Sequence, residues 1–280
     1  MNRRAFCMGA GVVAAMPFYS WAKVGGRPMK VPLMLDTKRM SIHDGPGIRT
    51  TFFVKGCPLK CIWCHNPESI STKPQWARFQ HLCRKCPKGC TMDEATCPTR
   101  ALKHYGTEMS MDEIVAKALE DKPFYEASGG GVTLSGGEPL FFWEWTAELF
   151  KRLKAAGLHT SLDTSLYAPP AAIEAMLPVV DMWLPDYKAD DDALHRKYTG
   201  VPNKLIKANL ESLVAAKAKL EVRCLVVPGC TDGEDIRSRH RYLNSIGITD
   251  NRIVDLEYHD YARSKYLALG LEDTMPPMSK

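Results

Sequence analysis

Residues 56–68 read GCPLKCIWCHNPE and place three cysteines, Cys57, Cys61 and Cys64, directly after a predicted strand over residues 50–54. A 4Fe-4S cube normally takes four thiolates, one for each iron, so a loop with three leaves one iron open to another molecule. A structural zinc site would need a distant fourth ligand, and a disulfide cluster is the other alternative. The spacing alone favours an iron-sulfur site by a small margin.

Two further motifs flank this loop or lie within it. Residues 41–50 read SIHDGPGIRT and lead into the loop, and residues 63–67 read WCHNP. In this order and separation, the motifs resemble those of the glycyl-radical-enzyme activating enzymes of the radical S-adenosylmethionine (SAM) superfamily. The resemblance extends from about Met34 to about Gly270. It implies an α/β fold, a partial (β/α)6 barrel, and a SAM-binding 4Fe-4S cluster on the three cysteines.

The composition is that of a compact enzyme with one principal domain, since 45% of the 280 residues are hydrophobic and 25% are charged. The formal net charge is +5, and the Lys and Arg residues read as scattered along the sequence. This pattern argues against nucleic-acid binding and allows a modestly acidic protein partner. Seven of the ten cysteines lie between Cys57 and Cys97, which favours iron ligation in a reducing compartment over a secreted disulfide framework.

The amino terminus resembles an export leader of the twin-arginine kind. A charged start is followed by an apolar run over residues 8–19 and by Ser20-Trp21-Ala22, in which Ser20 and Ala22 are small. The run is too short to span a bilayer, so no membrane partner is expected. We interpret residues 1–28 as a leader-like extension or a misassigned start, and residues 29–280 as the radical SAM domain. The expected location is the cytoplasm, and export is the alternative.

A second cysteine group lies in an insertion over residues 80–104. It comprises Cys83, Cys86, Cys90 and Cys97, the last followed by Pro98. Four thiolates ending in Cys-Pro resemble a bacterial ferredoxin run and could close one auxiliary 4Fe-4S cluster, so we predict a small ferredoxin-like iron-sulfur insertion. Many members of the family that this chain resembles carry eight cysteines and two clusters in this insertion. We therefore interpret the insertion of this chain as a shortened form with a single cluster. A zinc ribbon is the alternative.

Strand and helix patterns alternate along the rest of the chain. Strands are predicted at residues 50–54, 132–134, 159–162, 181–184, 220–227 and 253–258. Helices are predicted at residues 111–120, 143–156, 171–176, 205–218 and 235–244. Such alternation favours parallel strands joined by crossover helices, with ligand sites at the carboxyl ends of the strands.

Several polar or glycine motifs follow these strands. Read alone, Gly136-Gly137-Glu138 is an ordinary tight turn, and charged residues at strand ends are often only solvated. The resemblance instead implies that Gly137, with Glu138 beside it, meets the amino group of SAM. It assigns strand-end acids and a lysine to the SAM carboxylate and to a monovalent cation. The complete set of implied SAM-binding residues is Trp63, His65, Gly136, Gly137, Glu138, Asp163, Thr164, Asp186, Tyr187, Lys188, Arg223 and His259.

Two departures from the family pattern are visible. Leu166 stands where the family commonly has Gly, which makes cation coordination through Thr164 less certain. The family usually carries a further helix after the position of Gly270, and here the sequence ends at Lys280.

The resemblance implies that the protein activates a partner glycyl radical enzyme. SAM is cleaved reductively, and a hydrogen atom is taken from a glycine of the partner, so no acid-base pair is needed. An electron donor such as flavodoxin or ferredoxin is expected, and residues 44–49 are a candidate docking rim for the partner. The alternatives are a radical SAM reaction on a small molecule or another peptide, and a non-catalytic electron carrier.

Overall fold

The computed structural model describes residues 20–24, 27–86, 90 and 93–278. Within these ranges the strands are β1 (Ser20–Val24), β2 (Arg27–Val31), β3 (Leu33–Ser41), β4 (Arg49–Lys55), β5 (Gln75–Arg78), β6 (Leu102–Tyr105), β7 (Gly131–Gly136), β8 (Thr160–Thr164), β9 (Met182–Pro185), β10 (Val222–Val226) and β11 (Ile253–Glu257). The helices are α1 (Met111–Leu119), α2 (Lys122–Ser128), α3 (Trp143–Ala155), α4 (Pro170–Met176), α5 (Asp192–Thr199), α6 (Lys204–Ala215), α7 (Glu234–Ser245) and α8 (Arg263–Ala268).

Six parallel strands form the frame of the fold. The main sheet has the order β3-β4-β7-β8-β9, in which β3 is antiparallel to β4 and the other neighbours are parallel. Strands β10 and β11 form a parallel pair. Isolated parallel bridges, Trp183 to Leu220 and Asp186 to Arg223, connect β9 to the β10 segment. The predicted partial barrel is therefore confirmed, and each predicted strand lies within two residues of an observed one.

Burial explains why these segments become central strands. Five of the six residues of β7 are buried, as expected for a parallel strand that is covered on both faces. Helix α3 packs on the sheet through Trp145, Leu149, Phe150 and Leu153. All five predicted helices form; α6 ends three residues earlier than predicted, at Ala215.

Several elements were not predicted from the sequence. They are the β1–β2 and β5–β6 hairpins, strand β3, and helices α2, α5 and α8. Strand β1 falls at the end of the leader-like segment, whose first 19 residues lie outside the described ranges. The β5–β6 hairpin brackets the insertion and pairs Gln75 with Tyr105. Among the helices that the structure describes, none is both long and apolar enough to cross a membrane.

Candidate active site

The three cysteines of the 56–68 loop share one cavity at the carboxyl ends of the parallel strands. The cavity has a volume of about 220 Å³. Eight of the implied SAM-binding residues also line it, namely Trp63, His65, Gly136, Gly137, Asp163, Thr164, Asp186 and Lys188. The strand-end rule therefore brings together residues that are far apart in sequence.

Backbone hydrogen bonds hold the cysteine loop in place. The Lys60 amide donates to the carbonyl of Thr199 at 2.8 Å, and the Ile62 amide donates to the carbonyl of Tyr198 at 3.0 Å. Both carbonyls lie at the carboxyl end of α5, where helical carbonyl groups lack partners within the helix. The end of a helix that was not predicted from the sequence thus supports the middle of the loop.

Burial disfavours the ionised form of the three thiols. It raises the pKa of Cys57 well above its ordinary value and that of Cys64 to about 12. Burial also raises the pKa of Cys61, although the nearby Lys188 ammonium opposes the increase. A cluster binds thiolates, so its binding here must release protons and bring positive charge into the cavity.

The Gly136-Gly137 turn is packed against the strand that precedes the cysteines. A Cβ on Gly137 would meet the Gly56 carbonyl oxygen at 2.3 Å, and one on Gly136 would meet the Val54 amide at 2.5 Å. The Glu138 amide donates to the Gly56 carbonyl at 2.9 Å. Only glycine fits this contact, which fixes the turn beside Cys57.

The Glu138 side chain lies behind the cavity and not in it. Its carboxylate is fully buried and accepts hydrogen bonds from the Thr164 hydroxyl at 2.6 Å and from the Ser165 amide at 2.7 Å. Burial raises the pKa of Glu138, and these hydrogen bonds oppose the increase. The side chain thus orients the loop that follows β8.

Leu166, at the position where the resembling family has Gly, adopts a left-handed backbone conformation with φ of 59°. Its amide donates to the Thr164 hydroxyl oxygen at 2.9 Å, and its carbonyl accepts from the Asn209 side chain at 2.8 Å. The buried leucine side chain packs in the main core. The structure therefore keeps the glycine-type backbone here at some cost in strain.

A charged network connects β8, β10 and the 41–50 segment. The Ser135 hydroxyl donates to the Asp163 carboxylate at 2.6 Å, and an Arg223 nitrogen lies 3.5 Å from the same oxygen. Burial raises the pKa of Asp163 to about 6, while Arg223 lowers it. Arg223 also donates to the His43 carbonyl at 2.8 Å. The guanidinium group therefore links a late strand to the first motif.

Residues 186–188 do not all face the cavity: Asp186 and Lys188 line it, whereas Tyr187 is buried in the core. Lys188 donates to the Asp186 carboxylate at 2.9 Å. Burial lowers the pKa of Lys188, but its ion pair with Asp186 outweighs burial, so the net pKa is raised. Tyr187 is buried in the core and donates to Asp190 at 2.6 Å, so the structure does not bring its side chain to the cavity.

Two imidazole rings stack at the carboxyl-terminal end of the cysteine loop. The rings of His65 and His259 are 4.1 Å apart, and His65 Nε2 lies 2.8 Å from the His259 carbonyl oxygen. The buried Nδ1 of His259 has no hydrogen-bond partner among the described residues. A buried ring nitrogen without a partner, beside a cavity lined by three thiols, fits a site that receives a polar ligand.

Residues near the carboxyl terminus hydrogen-bond to the same end of the cysteine loop. Sequence analysis did not predict these contacts. Lys265 donates to the His65 carbonyl at 2.9 Å and to the Glu68 carboxylate at 2.6 Å. The Tyr266 hydroxyl donates to the Cys64 carbonyl at 3.1 Å. We name Lys265 and Tyr266 the α8 clasp. The sequence resemblance extends through these residues but implies no such contact, because contacts across 200 residues leave no local pattern.

The 44–49 segment is only partly exposed. Arg49 is fully buried and donates to the Thr133 hydroxyl and the Val132 carbonyl, both at 2.6 Å. Pro46 is exposed, as are Ile42 and His43 just before the segment. The surface available for docking here is therefore smaller than the sequence motif.

The second cysteine group also shares one cavity. Cys83, Cys86, Cys90 and Cys97 line a space of about 370 Å³. Backbone amides, that of Leu102 above all, lower the pKa of Cys97, as suits a thiolate ligand. The nine described cysteines are free thiols, and no group of three or more His, Cys, Asp or Glu side chains in the described ranges is arranged to hold a metal ion.

Comparisons with known proteins identify the family. Residues 51–241 match the radical SAM superfamily. A benzylsuccinate synthase activating enzyme from Thauera aromatica is 37% identical, over 86% of this chain and 83% of the relative. A (2S)-3-sulfopropanediol dehydratase activating enzyme from Klebsiella oxytoca is 36% identical, over 85% and 86% respectively. This chain is a member of the glycyl-radical-enzyme activating enzymes of the radical SAM superfamily.

Further relatives agree with this family. The pyruvate formate-lyase 2-activating enzyme of Escherichia coli strain K12 is 34% identical, over 86% of this chain and 82% of the relative. The crystal structure of Streptococcus suis SuiB bound to precursor peptide SuiA has a TM-score of 0.50 and 14% identity, over 76% of this chain and 39% of that chain. This second likeness shows the fold alone. As a radical SAM activating enzyme, the chain uses a 4Fe-4S cluster and SAM.

Proposed function

We propose that this activating enzyme cleaves SAM reductively and abstracts a hydrogen atom from a glycine of its partner, acting as an oxidoreductase. The observation that carries the proposal is the single cavity shared by Cys57, Cys61, Cys64 and the ends of β7, β8 and β9. Three thiolates leave one iron of a cube without a protein ligand, at the place where the strand ends offer groups for SAM.

The residues divide into holding and orienting roles. The three thiolates hold the cluster, which when bound supplies the electron that breaks the sulfur–carbon bond of SAM. Cleavage of SAM would give methionine and a 5'-deoxyadenosyl radical, which would take one hydrogen atom from the partner glycine. Gly137 and its neighbours would orient the SAM amino group. Lys188, which lines the cavity, and Arg223, 3.5 Å from Asp163, would balance the SAM carboxylate and the acids. His259 offers its unpaired Nδ1.

The finer cofactor and partner assignments also belong to this proposal. A monovalent cation would bind between Asp163, Thr164 and Asp186, whose oxygens gather at two strand ends. An auxiliary cluster would bind the second cysteine group, and a flavodoxin or ferredoxin would supply electrons. A radical enzyme and its reductant require a reducing compartment, so we infer that the reaction takes place in the cytoplasm.

The decisive experiment combines the reduced protein, SAM and a candidate glycyl radical enzyme, without oxygen. We expect a glycyl radical, visible by electron paramagnetic resonance as a doublet from the remaining α-hydrogen. Deuterium on the partner's glycine should appear in 5'-deoxyadenosine.

Two results would overturn parts of the proposal. If a small molecule is consumed and no protein radical forms, the activating role is wrong although the radical chemistry is right. If no 5'-deoxyadenosine forms with a loaded cluster, the electron-carrier alternative gains support.

A further inference from the structure

Residues 73–104 are one of two stretches with a clear excess of positive charge; the other is residues 1–30, which contain five Lys and Arg and no Asp or Glu. Residues 73–104 contain seven Lys and Arg residues and two Asp and Glu residues, whereas the rest of the chain contains thirty of each kind. The net charge of this segment is therefore +5. It is the segment that bears the second cysteine group.

The carboxylates of the two acidic residues in this segment accept hydrogen bonds from backbone amides. Asp93 accepts from the Ala95 amide at 3.0 Å, and Glu94 accepts from the His104 amide at 2.7 Å. Arg84, Lys85 and Arg100 are exposed, and none of the ion pairs between described residues includes them. Their charges consequently project a positive field into solvent.

The positive charges lie beside the thiols. Arg84 and Lys85 line the same cavity as the four cysteines, and the Cys86 and Cys90 side chains are exposed. Leu82, 41% exposed, adds an apolar contact. We name this surface the insert face; it comprises Leu82, Arg84, Lys85, Cys86, Cys90 and Arg100.

We propose that the insert face is the docking surface for an acidic one-electron reductant protein. The inference rests on the proposed function, because it names where the electron for SAM cleavage enters. Cys83, Cys86, Cys90 and Cys97 would hold an auxiliary 4Fe-4S cluster, which when bound would accept one electron from the reductant, and cleavage of one SAM would consume that electron. Exposed thiols allow close approach, and opposite charges accelerate the brief encounters typical of electron-transfer proteins.

Helix α8 connects this surface to the catalytic loop. Ser264 borders a cavity together with Leu82, Arg100 and Lys103. The next two residues are the α8 clasp, which bonds the carbonyls of His65 and Cys64. One short helix therefore bonds the catalytic loop and borders a cavity beside the insert face.

The test is a double charge reversal, Arg84→Glu with Lys85→Glu, in the holoenzyme. The probe is a purified flavodoxin, an acidic flavin protein, and its dissociation constant is measured at low salt and at about 0.5 M salt. We expect binding at least about tenfold weaker at low salt, with the difference largely lost at high salt. The rate of iron-site reduction by the probe should fall in parallel.

A matched control separates local charge from total charge. Lys151→Glu with Lys204→Glu changes the net charge equally at exposed sites on α3 and α6. This control should bind the probe as the wild type does. Equal weakening in both double variants, or none in either, would overturn the proposal.

Dithionite and the partner enzyme complete the test. With dithionite as reductant, the insert-face variant should cleave SAM at the wild-type rate. A wild-type protein that fails with dithionite would instead refute the proposed function. If the variant loses affinity for the glycyl radical enzyme and keeps it for flavodoxin, the face belongs to that enzyme and the proposal is wrong.

Discussion

The two cysteine groups differ in how the chain surrounds their thiols. Cys57, Cys61 and Cys64 lie among the ends of the parallel strands, and burial raises the pKa of each thiol. In the insertion, Cys86 and Cys90 are exposed beside basic side chains. Residues from many strands of the barrel therefore line the first site, whereas the β5–β6 hairpin and its loop supply the second. Mutations should therefore separate the two sites.

The largest expected effect comes from the first site. Replacing Cys57, Cys61 and Cys64 together by Ser should abolish SAM cleavage, a loss of more than about a thousandfold, because the iron that would bind SAM is no longer held. Roughly four irons per chain should remain at the insertion. Iron analysis and 5'-deoxyadenosine formation measure the two outcomes.

Cys230→Ser is a matched control, because this cysteine lies outside both groups. It should retain iron and activity. Retained SAM cleavage in the triple variant would contradict the radical assignment.

The next effect concerns the second site. Changing Cys90 and Cys97 to Ser should remove about four irons per chain, since a cube cannot persist on two thiolates. Cleavage of SAM with dithionite should fall by less than about threefold, because these residues lie outside the catalytic cavity. Zinc recovered in place of iron from the wild-type protein would establish the ribbon alternative.

A smaller effect should follow from opening the α8 clasp. Lys265→Met leaves the Glu68 carboxylate, 3% exposed, without its ion pair. We expect a loss of about 2 kcal/mol in the free energy of unfolding, below the usual cost for a fully buried pair because Lys265 is partly exposed. Iron should leave the catalytic loop about tenfold faster in a chelator, with the insertion unaffected.

Two variants test whether charge causes that effect. Lys265→Arg should behave nearly as the wild type, and adding Glu68→Gln to Lys265→Met should recover part of the stability. Equal iron loss from both sites would show a general loosening of the fold.

A pH dependence of stability is also expected at the first site. Burial raises the pKa of Asp163 to about 6, although Arg223 opposes it, and an unfolded Asp has a pKa near about 4. Between these values the folded chain binds more protons than the unfolded chain, so stability falls as the pH rises through this window. Urea unfolding of iron-free protein at stepped pH should show this fall, and Asp163→Asn should flatten it. An unchanged slope in the variant would assign the titration to another group.

The barrel was predictable from sequence because its strands are buried and end in recognisable motifs. Strand β7 is followed at once by Gly137 and Glu138, and β8 ends in Asp163 and Thr164. The carboxyl ends of parallel strands lie side by side, so most of the residues that line the cavity could be predicted from the positions of the strands. The motif resemblance supplied the chemistry.

The missed elements lack such local signals. In strand β3, Asp36 and three consecutive residues, Lys38, Arg39 and Met40, are exposed. The sequence of β3 therefore lacks the regular alternation of apolar and polar residues that would predict a strand. Helix α5 is mostly polar, and only its Asp191 cap and Gly200 terminator mark it. The position of Tyr187 in the core also escaped prediction, because it lies two residues beyond the end of β9, where strand alternation no longer indicates which way a side chain faces.

The α8 clasp has a consequence for the order of events during synthesis. Its contacts join residues about 200 positions apart, from Cys64 and His65 to Lys265 and Tyr266. A ribosome that adds 5–20 residues per second needs roughly 10–40 s to make that length of chain. For that interval the cysteine loop is outside the peptide tunnel without the helix that closes it. The contacts that close the cysteine loop therefore have to wait for the last part of the polypeptide, whereas the β5–β6 hairpin that brackets the second cysteine group is complete much earlier.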